Sequence, residues 1–143
     1  MNAVPEPGSN FVVPTSIDGV KMLGDPAPNR CPKCQEQMEL GELDENLVIV
    51  CRACQSLLVQ SQVFARIVQN RRRSYNGADV TPNPLDSSQF SRKLKCPGCQ
   101  QDMCVHAYHG PGNVVVDSCS KCWFTFLDYG ELASIEQAPG RRQ

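Results

Sequence analysis

Apolar positions along this chain come in short bursts, and each burst carries its own period. Met38 and Leu40 alternate with Glu39 and Gly41, the period of a strand with one buried face. After the polar stretch of Asp44, Glu45 and Asn46, residues 47–50 return as a continuous β-branched run, so the two predict a hairpin. Residues 57–59 predict a further short strand. Val63, Phe64, Ile67 and Val68 then recur at one, three and one, the stripe of a helix running to about Arg72 with Ser61 as its N-cap. The pattern then repeats. Met103, Val105 and Ala107 share a strand face, Gly110, Pro111, Gly112 and Asn113 predict a turn, and residues 114–116 return. Asp128 and Glu131 form the outline of a capping box ahead of a second helix, which presents Leu132 and Ile135.

The two halves are copies. An offset of 65 places Cys31, Pro32, Cys34, Gln35 and Met38 on Cys96, Pro97, Cys99, Gln100 and Met103. An offset of 68 places Val48, Cys51, Cys54, Phe64 and Ile67 on Val116, Cys119, Cys122, Leu132 and Ile135, so the second hairpin is three residues longer. A repeat that keeps apolar positions as well as cysteines predicts one fold used twice. The expected units are an arm at 1–30 with little structure of its own, a first module at 31–73, a polar linker at 74–92 that allows separate motion, a second module at 93–138, and a frayed tail at 139–143. Within the arm, residues 11–13 could form a short strand.

Eight of the nine cysteines fall in four Cys-x-x-Cys pairs. Sixteen residues separate Cys34 from Cys51, and 19 separate Cys99 from Cys119. Two pairs at hairpin distance are the spacing of a four-thiolate zinc site. The candidate ligands are therefore Cys31, Cys34, Cys51 and Cys54 for one ion, and Cys96, Cys99, Cys119 and Cys122 for the second. Modules of this size bury too little apolar surface to fold unaided, and a structural zinc is worth on the order of 10–16 kcal/mol of apparent binding energy. Iron can use the same four sulfurs, and a thiol redox pair is a further alternative, although redox pairs belong to strand–helix–strand patterns absent here. The fold class is small, metal-stabilised and β-rich (α+β): two tandem zinc ribbons, each a β-hairpin with a four-cysteine zinc site followed by a short helix.

Charge narrows the partners. The formal net charge is −1, and two four-thiolate zinc sites at −2 each bring it to −5, which does not attract phosphates over the whole surface. Locally, residues 61–95 hold seven basic and two acidic side chains. Arg71, Arg72, Arg73, Arg92, Lys93 and Lys95 are candidate nucleic-acid contacts, against the simpler reading of solvated charge at a helix C-terminus. Cys104, His106 and His109 are either a third metal cluster or a strand face with one thiol and two imidazoles; since each half already has four ligands, the second reading is preferred. Trp123, Phe124, Phe126 and Tyr129 divide between core packing and an exposed binding patch. The first ten residues hold no basic side chain and no apolar run, and no stretch is long enough to span a membrane. A reducing cytoplasm is therefore expected.

One resemblance is specific. Cys96-Pro-x-Cys99, Met103, Val116-Asp117-x-Cys119-x-x-Cys122 and Leu127-Asp128-x-Gly130-Glu131-Leu132 run over residues 96–135. They resemble the bacterial zinc-finger family named for its likeness to the transcription factor IIB zinc ribbon. The first half is similar in its cysteines and apolar spacing but lacks the Leu-Asp-x-Gly-Glu-Leu tail, and so resembles a diverged member. Phe124 and Phe126 stand where that family usually has glycine and, two residues on, an aromatic, commonly tryptophan. The resemblance implies a zinc ribbon and, through its name, a link to transcription. Function is expected to be non-catalytic, with no small-molecule substrate. A protein-interaction adaptor with an unidentified protein partner ranks ahead of a nucleic-acid module, and that ahead of a redox protein.

Overall fold

The computed structural model describes residues 16–17 and 19–142. In chain order the elements are β1 (Ser16–Ile17), β2 (Val20–Arg30), β3 (Gln37–Leu43), β4 (Asn46–Val50), β5 (Leu57–Gln60), α1 (Ser61–Ser74), a 3-10 turn (Ser87–Ser91), β6 (Cys104–Ala107), β7 (Val115–Cys119), β8 (Phe124–Leu127) and α2 (Glu131–Gln137). The result is a small β-rich domain with two helices. The eight strands among the described residues form one antiparallel sheet in the order β1-β2-β3-β4-β5-β8-β7-β6.

The β3–β4 connection is a two-residue hairpin. Leu43 pairs with Asn46, and Asp44 and Glu45 between them both have positive φ, at 50° and 67°. Short-loop hairpins favour that backbone because its twist matches the strands, and Asp tolerates it.

The two halves meet at β5 and β8. Leu57 pairs with Leu127, Leu58 with Phe126 and Val59 with Thr125. Under the 68-residue offset Leu58 maps onto Phe126, and the pairs on either side exchange with each other. The join is therefore a local two-fold centred on Leu58 and Phe126. Both strands are buried on both faces, which is why residues 57–59 read as a run without alternation. On one face Leu57, Val59 and Leu127 pack with Phe64, Ile67, Leu132 and Ile135 of the helices. On the other, Leu58 and Phe126 pack with Met38, Met103, Cys31, Cys51, Cys96 and Cys119. Helices cover one side of the sheet and cysteine turns the other.

This arrangement corrects several expectations. Residues 20–30 are not an arm without structure, because β2 pairs with β3 along its length. Pro26 and Pro28 suggested otherwise, yet beyond Met22 the strand is an edge, where missing N–H groups are tolerated, and its register shifts around Pro26. The candidate strand at 11–13 lies outside the described residues. The stretch at 74–92 does not separate two mobile modules. Val80 N–H donates to the Gln137 carbonyl at 2.8 Å, and Asn113 donates to the Asn83 carbonyl at 3.0 Å. The tail is held as well. Arg141 accepts from Arg72 at 2.8 Å, and Arg142 donates to the Glu136 and Ala138 carbonyls and to Asp79.

Neither cap forms as expected. Gln60 precedes α1 without a side-chain cap, because the Ser61 hydroxyl bonds to Thr125 Oγ1 at 2.8 Å across the join. At α2 half of the capping box is present: the Asp128 amide donates to Glu131 Oε1 at 2.9 Å. The Asp128 carboxylate is instead engaged by Arg92 and Lys33.

Candidate metal centres

Each Cys-x-x-Cys pair sits in the same tight turn. The residue after the second cysteine (Gln35, Gln55, Gln100 or Trp123) has φ between 61° and 68°. Its N–H donates to the carbonyl of the first cysteine at 2.7 or 2.8 Å. Reversing the chain this sharply turns backbone amides toward sulfur. Lys33 N–H lies 3.4 Å from Cys31 Sγ, Gly98 N–H 3.3 Å from Cys96 Sγ, and Cys122 N–H 3.3 Å from Cys119 Sγ.

The turns converge in pairs. Cys31, Cys34, Cys51 and Cys54 form one group, and Cys96, Cys99, Cys119 and Cys122 the other, with all sulfurs of a group within 4.8 Å of one another. Cys31 to Cys54 is 3.6 Å, Cys34 to Cys51 is 3.4 Å, and Cys99 to Cys119 is 3.7 Å. A tetrahedron built on metal–sulfur bonds of about 2.3 Å has edges of about 3.8 Å. A disulfide would need about 2.05 Å, and all nine cysteines are free thiols. The donor set and its spacing fit one tetrahedral ion per group, so the two groups can bind two metal ions.

As thiols these groups frustrate one another. Burial pushes Cys51 well above the ordinary thiol range, with the Cys54 amide pulling back, and burial raises Cys96 too. Cys122 is pushed up to about 12 by burial first, then by Cys99 and Cys96. Cys119 goes the other way: burial works against it, but the Cys122 and Lys121 amides and the neighbouring sulfurs bring it to about 7. One sulfur ionises easily and its neighbours then resist. A bound cation resolves that conflict by stabilising every thiolate at once.

Two features beside the sulfurs were not legible in the residue pattern. Ser56 is 1% exposed, and its hydroxyl lies 3.1 Å from Cys54 Sγ and 3.7 Å from Cys31 Sγ. The other is an ion network joining the halves. Arg92 binds Asp117 through Nε and Nη2 and Asp128 through Nη1, and Lys33 reaches Asp128 at 3.1 Å. Burial opposes the Arg92 charge, but the two carboxylates outweigh it and hold the guanidinium ionised. Asp117, fully buried, is raised by burial with Arg92 opposing. Glu131 rises to about 8, from burial and then from the Asp128 charge. Asp117, Asp128 and Glu131 lie in the motif that carried the resemblance, and nothing in their spacing announced Arg92 as their partner.

The six basic candidates do not form one cationic strip. Arg72 is buried and donates to the Ile135, Ala138 and Arg141 carbonyls. Arg71 lies between Asp44 and Glu136, Arg92 is in the network above, and Lys95 pairs with Asp102 at 2.7 Å. Arg73 and Lys93 are exposed. Cys104, His106 and His109 do not gather as a metal group among the described residues. His106 instead bonds Ser118 Oγ at 2.9 Å and stacks on His109, and Cys104 is exposed. Of the four aromatics, Phe126 is core, Phe124 is half-buried, and Trp123 and Tyr129 are 65% and 60% exposed. Among the described residues no helix is long and apolar enough to cross a membrane.

No protein-family model, no curated protein and no solved structure matches the chain. The resemblance of residues 96–135 therefore rests on those residues alone.

Proposed function

We propose that the protein is a non-catalytic, double zinc-ribbon protein that acts in the cytoplasm as an adaptor for another protein. A tetrahedral all-sulfur donor set takes zinc or iron, and zinc is favoured because a structural role needs no redox change. Four sulfurs close the coordination sphere and leave no position for water or substrate, so the ions serve structure. The resemblance of the second half supports the ribbon assignment and points toward the transcription machinery as a place to look.

One observation carries the adaptor reading. Trp123 occupies the turn position that the other three turns give to glutamine, with φ at 62° and 65% of its surface exposed. A bulky side chain in that backbone region costs free energy, and with 65% of Trp123 exposed burial returns little of it. A residue that the fold does not need, large, aromatic and presented outward, is what a binding partner uses as an anchor. Tyr129 and Leu47 are also exposed, at 60% and 62%, but on other parts of the surface, Tyr129 beyond the far end of β8 and Leu47 on β4. The nucleic-acid reading has less behind it, because Arg72 and Arg92 serve the fold and Arg71 and Lys95 are paired with carboxylates.

Elemental analysis of purified protein is expected to return two equivalents of zinc in a colourless sample; red ferric tetrathiolate would overturn the zinc assignment. Affinity capture with nuclease treatment tests the adaptor. Trp123→Gln is expected to keep the zinc and the fold while reducing capture of the partner at least tenfold, and capture lost on nuclease treatment would favour nucleic acid instead.

A further inference from the structure

We infer that the two four-sulfur groups are chemically unequal: the Ser56 hydroxyl damps the thiolates of the first, Phe124 stands in its place in the second, and Cys122 with its neighbours reacts first with soft electrophiles. The inference rests on the zinc reading, since it concerns thiolates held by an ion.

In hydrogen bonds to sulfur the backbone gives the first group one amide donor, Lys33 N–H to Cys31 Sγ at 3.4 Å, and the second two, Gly98 N–H to Cys96 Sγ and Cys122 N–H to Cys119 Sγ, both at 3.3 Å. None of the three reaches Cys54 Sγ or its counterpart Cys122 Sγ, and there the side chains decide. Ser56 sits in the core, 3.1 Å from Cys54 Sγ and 3.7 Å from Cys31 Sγ, so one hydroxyl serves two ligands. With the sulfurs ionised and acting only as acceptors, that hydroxyl donates. Under the 68-residue offset its counterpart is Phe124, which has no donor to offer.

A second exchange works in the same direction. Lys33, in the first turn, carries an ammonium that interacts with the Cys54 charge as well as with Asp128. Under the 65-residue offset its counterpart is Gly98. A Cβ there would meet Cys122 Sγ at 3.1 Å and the Phe124 ring at 3.4 Å, so ring and sulfur occupy the space beside the backbone. Beside Cys54 stand a hydroxyl and the Lys33 ammonium, and beside Cys122 the Phe124 ring and Gly98, while Lys121 occupies the second group's turn where the first has Ala53. Hydrogen bonds and positive charge withdraw electron density from a thiolate, which lowers its nucleophilicity and strengthens its hold in the metal site.

The reaction is addition to a maleimide. A thiolate sulfur forms a bond to one alkene carbon, the carbon–carbon π bond breaks, water supplies a proton to the other carbon, and the sulfur leaves the zinc. With three sulfurs left the ion would be held more weakly, and a chelator would take it.

The test uses the full chain with Cys104→Ser, which removes the exposed thiol outside both groups. N-ethylmaleimide is added with a chelating dye, early adducts are mapped by mass spectrometry, and fluorescence of Trp123, the single tryptophan, reports on the second group. Two phases of zinc release are expected. The faster should be about tenfold ahead, the low end of what a hydrogen bond to a charged group is worth. It should coincide with the fluorescence change and map to Cys96, Cys99, Cys119 or Cys122. Ser56→Ala should bring the slow phase close to the fast one, and Ser56→Thr, which keeps the hydroxyl, should restore the gap. Equal rates in the parent protein, or first adducts on the first group, overturn the inference and leave the zinc reading standing. Fewer than two equivalents of zinc before any reagent overturns both.

Discussion

Replacing Cys51 with serine tests whether the halves stand or fall together. Cys51 is fully buried and lies in the same cluster as Leu58, Phe126, Cys96 and Cys119. A serine there offers a poor ligand, and the first group loses an ion worth on the order of 10–16 kcal/mol. That is comparable with the whole stability of an ordinary domain, about 5–15 kcal/mol, so the first half unfolds. The fate of the second half depends on the join. Unfolding β4 and β5 exposes the β8 edge and the surfaces that Leu57, Leu58 and Val59 cover on Phe126 and Leu127. At roughly 1.5–3 kcal/mol per buried side chain, these five residues represent about 7–15 kcal/mol of burial shared across the join. The helix face also loses Phe64 and Ile67 from around Leu132 and Ile135. The second ion alone has to offset all of this in a module of some 45 residues. The expected outcome is loss of amide dispersion from residues 93–138 as well as 31–73, read by two-dimensional NMR in the presence of zinc. A variant whose 93–138 resonances stay at their native shifts would refute the shared-core reasoning.

Other expectations concern the ion network. Arg92→Met leaves Asp117 buried without its cation and should cost about 3–5 kcal/mol in chemical denaturation. Adding Asp117→Asn should recover most of that loss, because the uncompensated charge goes with it. Glu131→Gln tests the raised carboxyl. A group that ionises near 8 when folded but near 4.5 when unfolded lowers stability as pH rises through that window. Between pH 6.5 and 9 the parent should lose roughly 2 kcal/mol that the glutamine variant does not, measured as the difference between their denaturation midpoints across pH. Parallel curves would show that Glu131 is not protonated in the folded protein near neutral pH, with Asp128, Asp117 and Arg92 around it.

The local signals in the sequence were reliable where chemistry is local. Cys-x-x-Cys spacing, the turn at Asp44 and Glu45, and the apolar stripes through Phe64, Ile67, Leu132 and Ile135 all correspond to elements and contacts in the structure. Long-range pairing was not legible. Residues 57–59 and 126–127 are unbroken apolar runs, which says that both faces of each strand are buried but not by what. A charge count over 61–95 treats Arg71, Arg72 and Arg92 as one population, whereas burial sends each to different acceptors. Proline at 26 and 28 argued against a strand, but the rule against proline applies where a strand is paired on both sides, and beyond Met22 β2 is paired on one side.

The join also explains how so small a chain manages its sheet edges. Separate modules would each expose a third strand, β5 in one and β8 in the other, with apolar residues on both faces and an open row of backbone donors and acceptors. Such strands pair with other chains and aggregate. Here they pair with each other. The remaining edges are blunted: on one side β2 carries Pro26 and Pro28, and on the other β6 is four residues long with the 3-10 turn against it. One sheet face is occupied by helices and the other by cysteine turns. The turns keep their outer surfaces free, and of the four residues that occupy their left-handed position three are glutamines and one is Trp123, the residue on which the proposed adaptor role rests. Recognition through that residue would tie binding to the integrity of the second metal group, because a tryptophan one bond from Cys122 keeps its outward pose only while the turn is closed.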